Sequence, residues 1–299
     1  MKNPIPRLAF ATAVVLATTA LGGWAAAAPH DTVAKSGKGD DSTVTVYLTR
    51  HGQTILNTLE RVQGWSDAPL VVGKNPDGSV LDGRILPVTV GANLRARDGA
   101  FDAAYSADQK RHFQTATLLL QGAGQQKLAV TQDERLREID FGRYEGAEGK
   151  EMWTDIVEAM GYTVDHAAAP TAPADATGQN GGWQTMQLRA ITEKGLVPMM
   201  ATMKRLAEEP EENGVALPAE DCGDVSARML AAMTEAAQKA VRGHDTRVLM
   251  VSSGLSITCA VDALGTTVTK GISNVAVSKL EYRGGVWTVK SVGDASYRH

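Results

Sequence analysis

Apolar runs and helical stripes alternate along the chain. Thr43 to Thr49 (TVTVYLT) is dense in β-branched and apolar residues, the composition of a strand covered on both faces of a parallel sheet. Phe101 to Ser106 (FDAAYS) and Arg247 to Ser252 (RVLMVS) predict two further strands. After the second, Phe113, Ala116, Thr117 and Leu120 fall at i, i+3, i+4 and i+7, which predicts a helix with that face on the sheet. Val225, Met229, Leu230, Met233, Ala236, Ala237, Ala240 and Val241 form a longer stripe of the same kind, and another helix is expected to begin near Thr89. Asn274 to Leu280 and Gly285 to Val292 read as strands around Arg283-Gly284-Gly285, a hairpin signal. Strands alternating with helices predict an α/β fold, a three-layer sandwich whose mostly parallel central sheet carries helices on both faces.

The stretches without period divide the chain. Residues 73 to 84 (GKNPDGSVLDGR) read as a loop or short hairpin placed to overhang a site. Tyr162 to Gly182 is a Pro-, Ala- and Gly-rich loop, in which His166 reads as solvated; Trp183 to Leu206 returns to helical character, and Glu208 to Asn213 is acidic and loop-like. The first 28 residues differ from the rest: Lys2 and Arg7 open a basic start, Leu8 to Leu21 is apolar but padded with Ala and Thr, and Ala25 to Ala28 supplies small residues for cleavage. This is a Sec-type signal pattern with cleavage near Ala28. The expected organisation is a signal at 1–28, a disordered Gly-, Ser-, Lys- and Asp-rich tether at 29–42, and one domain at 43–299. The destination is outside the cell or on its surface, without stable membrane insertion after cleavage.

At 299 residues and 43% hydrophobic content the chain can bury one sizeable core. Its 30 basic side chains, less Lys2 and Arg7, face 34 acidic ones, a balance that argues against nucleic acid as a partner. Cys222 and Cys259 both fall in segments that read as helical, so they are expected free and partly buried, with a single bridge as the alternative.

The chemistry begins where the first strand ends, at Arg50-His51-Gly52. A guanidinium fork, an imidazole and a glycine at the carboxyl end of a buried strand make an anion site: arginine matches phosphate oxygens, glycine admits a ligand close to the backbone, and histidine serves as nucleophile or proton carrier. RHGQTILN (residues 50–57), then Arg61, Gln63 and Gly64, then DAPL at 67–70, resembles the opening of the histidine phosphatase superfamily, the phosphoglycerate-mutase-like proteins. The resemblance continues in Ser106, Arg111 and Gln114-Thr115-Ala116, in LREIDFGRYEG at 136–146, and in Glu220 eight residues before Arg228. It implies that His51 is the phosphorylated nucleophile, that Arg50, Asn57 and Arg111 bind phosphate, and that Glu138 protonates the leaving group. It also implies a substrate-covering cap at about 147–219, with Gln63 and Glu220 at the site mouth. Asp140 and Glu145 compete with Glu138, and Glu145 reads as orienting its turn.

One position departs from the pattern. Where the family carries Ser-His-Gly, this chain has Ser252-Ser253-Gly254. Ser253 therefore stands where a second catalytic histidine is expected, and a weakened enzyme follows; returning histidine to 253 should raise turnover where the pocket has room. His112, beside Arg111, reads as a surface residue. The functional expectation is an exported phosphomonoesterase acting on a small phosphorylated substrate through phosphohistidine, with no cofactor and no metal. The alternative is a catalytically impaired relative that binds phosphorylated ligands or a surface partner. Oligomeric state and physiological substrate are not readable from the residues.

Overall fold

The computed structural model describes residues 42–211 and 213–299. The signal segment, and the tether up to residue 41, lie outside the described residues. In chain order the elements are β1 (Val44–Arg50), α1 (Ile55–Thr58), β2 (Val72–Lys74), β3 (Val80–Asp82), α2 (Ile85–Asp98), β4 (Ala103–Ser106), α3 (Lys110–Gly122), β5 (Val130–Gln132), α4 (Gly149–Ala159), α5 (Trp183–Lys194), α6 (Leu196–Ala207), α7 (Cys222–Gly243), β6 (Arg247–Ser252), α8 (Gly254–Ala263), β7 (Val277–Arg283) and β8 (Val286–Asp294).

Six strands form one sheet in the order β5-β4-β6-β1-β7-β8. The first four are parallel, and β7 and β8 extend the edge antiparallel, so the sheet is mostly parallel as expected. Alternation along the strands builds two cores. Val44, Val46, Leu48, Val248 and Met250 face one core with α7 and α8; Tyr47, Leu249 and Val251 face the other with Val90 and Leu94 of α2 and Leu119 and Leu120 of α3. Helices on both faces leave β1 and β6 nearly without solvent contact, which is why both read as unbroken apolar runs. Among the described residues no helix is long and apolar enough to cross a membrane.

The stretch at 73–84 is the short hairpin, with β2 and β3 paired from Val72 to Asp82. Four expectations change. The helix α2 starts at Ile85, before Thr89. On α3 the buried face is His112, Thr115, Ala116, Leu119 and Leu120, one step round from the predicted stripe, and Phe113 is 40% exposed. The first tail strand begins at Val277, not Asn274, because the chain first turns back on β1: Val275 N donates to the Arg50 carbonyl (3.1 Å) and Asn274 Nδ2 to that of His51 (2.9 Å). Finally, Cys222 and Cys259 are joined in a disulfide, tying the first residue of α7 to α8 across a Cα–Cα distance of 5.1 Å. Both residues are helical, as read, but the two helices lie against each other.

Candidate active site

Register sets the site. Arg50 pairs with Ser252, and Ser106 with Val251, so β1, β6 and β4 end side by side and their next residues, His51, Ser253 and Ala107, share the carboxyl edge of the sheet. His51 is buried, and its Nδ1–H donates to the Gly52 carbonyl (2.8 Å), which leaves the Nε2 lone pair free. Burial first, then the charges of Arg111 and Arg50, hold its pKa well below the ordinary histidine value, against the pull of the Gly52 carbonyl. A neutral imidazole with one fixed tautomer is a nucleophile. Gly52 is confined as well as flexible: its N–H donates to Thr115 Oγ1 (2.9 Å), and a Cβ would stand 2.9 Å from the Gly83 carbonyl oxygen.

Two guanidinium groups flank this ring. Arg50 Nη1 donates to the Ile272 carbonyl (2.6 Å), and its Nε is buried with no partner, a donor that an anion would satisfy. Arg111 is wholly buried and holds the loop at 63–67: Nη2 donates to the Gly64 carbonyl (2.6 Å) and Nη1 to that of Ser66 (2.9 Å). The Gln63 amide oxygen accepts from Arg111 Nε and Nη1 (2.9 and 3.1 Å), while its nitrogen donates to Thr54 Oγ1 (2.6 Å). Burial lowers the pKa of Arg111 to about 10, with Glu138, Asp67 and Glu145 pulling the other way, and it stays charged at neutral pH. Arg111 thus acts largely as a buried charge behind His51. Asn57 spends Oδ1 on capping α1, accepting from Thr54 N (3.2 Å), which leaves its amide nitrogen as the group for a ligand.

Glu138 faces these cations from the segment that follows the 3-10 turn at Glu134–Leu136. Its Oε1 accepts from Ser256 N (2.7 Å), Ser256 Oγ (2.9 Å) and Ile139 N (3.0 Å); Oε2 accepts from Leu255 N (3.1 Å) and keeps a lone pair for a proton it could trade. Glu145 does what its sequence context suggested, accepting from Gly64, Trp65 and Ser66 N–H groups (3.1, 2.7 and 2.9 Å) and so closing the 63–67 loop. Gly64 is required there, since a Cβ would lie 2.2 Å from the Ile139 carbonyl oxygen. Glu220 does pair with Arg228 (2.6 Å), but away from the site mouth. The pair clamps the Glu138 segment from behind: Arg228 donates to the carbonyls of Arg135, Arg137 and Glu138, and Glu220 Oε2 accepts from Asp140 N (3.1 Å).

Ser253 is buried at the N-cap of α8, and its Oγ lies 2.7 Å from Nε2 of His112. His112 is therefore no surface residue. It is wholly buried, its ring centroid 5.2 Å from that of His51 in an edge-on arrangement. The signal for it existed in the sequence, because His112, Thr115, Ala116 and Leu119 have helical spacing; the bulk of Phe113 outweighed it.

A cavity of about 360 Å³ opens beside His51. Arg50, Asn57, Gln63 and Glu138 line its polar end, and Phe141, Met152, Trp153, Trp183 and Leu255 its apolar walls. Met152 and Trp153 come from α4 and Trp183 from α5, so the expected cap region supplies three of these five walls and Phe141 and Leu255 the rest. The β2–β3 hairpin does not line this cavity; Asp82 and Gly83 border a separate one with Arg50. His166 is exposed and bonds Glu158 (2.9 Å).

The model of the "Histidine phosphatase superfamily (branch 1)" matches residues 46–179 and 178–295. A probable phosphoglycerate mutase GpmB of Salmonella arizonae is 27% identical over 262 residues, 84% of this chain and 94% of that protein. Among solved structures, a phosphoglycerate mutase of Bacillus anthracis superposes with a TM-score of 0.68 at 31% identity, over 87% of this chain and 96% of that one. YhfR of Bacillus stearothermophilus does so at 0.55 and 26%, over 86% and 100%. The match extends from β1 to β8 and takes in every element that meets at the carboxyl edge of the sheet: this chain belongs to the histidine phosphatase superfamily.

Proposed function

We propose that this protein is an exported phosphomonoesterase that works through a phosphohistidine on His51. The observation that carries the reading is the state of that ring: neutral, its Nδ1–H committed to Gly52, its Nε2 free, flanked by the part-buried Arg50 and the buried Arg111, beside a cavity that Glu138 also lines. In the first step the Nε2 lone pair attacks phosphorus, the bond to the ester oxygen breaks, and Glu138 gives that oxygen its proton. In the second, Glu138 takes a proton from water, the oxygen attacks phosphorus, and the P–N electron pair returns to Nε2 as inorganic phosphate leaves. Arg50 and Arg111 balance the phosphoryl charge, and Asn57 donates to it. The apolar walls suit an organic leaving group larger than the phosphate itself. An oxidising destination agrees with the Cys222–Cys259 bridge, and a mutase would not meet a steady supply of phosphorylated intermediates there.

The test is hydrolysis of an aryl phosphate by the purified protein, with acid quenching of labelled substrate. Acid-labile phosphate on the wild type and none on His51→Ala is the expected result. Equal labelling of the variant would remove the covalent mechanism, and an inert wild type that still binds phosphate would favour the binding-protein reading. Chelator is expected to leave the rate unchanged, because the arginines supply the charge.

A further inference from the structure

The proposed reaction uses one of two neighbouring imidazoles. The other, His112, sits edge-on to His51, wholly buried, with Nε2 on Ser253 Oγ at 2.7 Å and Nδ1 buried without a partner. An apolar ring would pack there with no orphan atom, and a buried polar atom left unbonded calls for a reason. Arg50 Nε is another of several such atoms among the described residues, and its residue lines the cavity beside His51.

The hydroxyl that meets His112 has been released from its ordinary task. Serine at an N-cap usually accepts from the N–H groups of the first helical turn. Ser253 occupies the N-cap of α8 and makes no such bond, because Glu138 takes the Leu255 and Ser256 N–H groups instead. Ser253 is therefore free to hold an imidazole that arrives from the far face of the sheet.

We propose that His112 is the second imidazole of the phosphoryl site, carried on α3 instead of at the end of β6: Ser253 anchors Nε2, and the remaining nitrogen serves a phosphoryl group held at His51. The inference rests on the phosphatase reading above. The groups facing the ring are Arg111 on its own helix, His51 after β1 and Ser253 before α8. In the free site burial, then Arg111 and His51, keep His112 neutral. A phosphoryl dianion offers the counter-charge that lets the ring take a proton from solvent and donate a charge-assisted hydrogen bond. The chain so keeps two histidines at the site although position 253 holds serine.

Orthovanadate, which adopts the five-coordinate geometry of a transferring phosphoryl group, is the probe. His112→Phe keeps a ring and removes both nitrogens; it is expected to weaken vanadate at least about ten-fold and to lower kcat for an aryl phosphate by roughly 10²-fold, with KM within about three-fold of wild type. The exchange variant His112→Ala/Ser253→His moves an imidazole back across the contact at nearly constant volume, and should regain about ten-fold or more in kcat over His112→Ala. A folded His112→Phe that binds vanadate like the wild type overturns the inference, as does a folded exchange variant no better than His112→Ala. If circular dichroism shows that the exchange variant does not fold, His112→Gln decides: it can hold Ser253 but carries no charge, so wild-type vanadate affinity in it also overturns the inference. An inert wild type whose vanadate binding depends on His112 refutes turnover and supports this assignment. An active one indifferent to His112 does the reverse.

Discussion

The carboxylate of Glu138 caps α8 from outside the helix, with Oε1 2.7 Å from Ser256 N. On the proposed reaction that one group would have two duties, holding the helix that follows Ser253 and giving a proton to the leaving group. Glu138→Gln separates them, because the amide still accepts from the helix but has no acid proton to give. The expected result is a loss of roughly 10²–10⁴-fold in kcat for alkyl phosphates, whose leaving oxygen needs the proton, with a much smaller loss for aryl phosphates. Stability should fall by about 1 kcal/mol or less, the scale of a weakened cap. Equal losses for both substrate classes would place the acid elsewhere.

Arg228 supports Glu138 without touching the cavity. It pairs with Glu220 and donates to three consecutive or near-consecutive carbonyls of the 135–138 segment, and both side chains are largely buried. Arg228→Ala strips those donors and leaves the Glu220 carboxylate unpaired. Removing one partner of a buried pair costs about 3–5 kcal/mol, and partial exposure here brings the expectation to roughly 2–3 kcal/mol. Urea denaturation measures it. The kcat should fall with little change in KM, since phosphate contacts are untouched; a stable variant with normal kcat would mean that the Glu138 segment needs no such support.

What could be read without coordinates followed composition. The β1 and β6 runs are apolar because helices cover both their faces, and the anion site at Arg50-His51 follows from where β1 ends. The α3 face was misread by one residue, since Phe113 looks like core and His112 like surface, while the structure buries His112 and exposes Phe113. What commits His112 to the interior is Ser253, 141 residues away, and no local pattern reports that contact. The bridge, only the alternative in the sequence reading, stays second there for the same reason: helical context at Cys222 and Cys259 says nothing about whether α7 and α8 touch. Glu220 and Arg228 do pair, but their spacing cannot tell a site mouth from a clamp behind the site.

Ser253 is also where the sequence-based expectation changes sign. A histidine at 253 was expected to raise turnover where the pocket has room, and His112 Nε2 already lies 2.7 Å from Ser253 Oγ. Ser253→His alone forces two imidazoles into one space. Overpacking a close-packed interior costs about 1–3 kcal/mol, so the single variant should be less stable and no more active than wild type. Aryl phosphatase turnover beside a thermal melt checks this; a ten-fold gain in kcat would show the space to be open.

The disulfide closes a loop between Cys222 and Cys259, 37 residues apart in sequence. Restricting the unfolded chain in that way stabilises the fold by about 4 kcal/mol on the loop-entropy model. Reduction, or Cys222→Ser with Cys259→Ser, should lower the denaturation midpoint accordingly. Activity at low temperature should persist, because neither sulfur borders the cavity. An unchanged midpoint would mean that α7 and α8 are held by their apolar contacts alone.

The two buried imidazoles set an acid limit on the fold. Both His51 and His112 have pKa values pushed well below the ordinary value near 6.5, chiefly by burial. Above pH 6.5 they are neutral folded and unfolded, so their burial adds no pH dependence. Below it the unfolded chain binds protons that the folded chain refuses, and stability falls as pH falls, until the folded-state values are reached. Each such group contributes a slope of up to about 1.4 kcal/mol per pH unit, so the pair gives roughly 2–3 kcal/mol per unit between pH 6 and 5. Denaturation midpoints at pH 7, 6 and 5 test this. His112→Phe removes one titrating ring and should halve the slope while leaving the pH 7 to 8 region flat. A wild-type profile that stays level down to pH 5 would show that the folded protein accepts both protons, and His51 could not then be the neutral nucleophile that its surroundings describe.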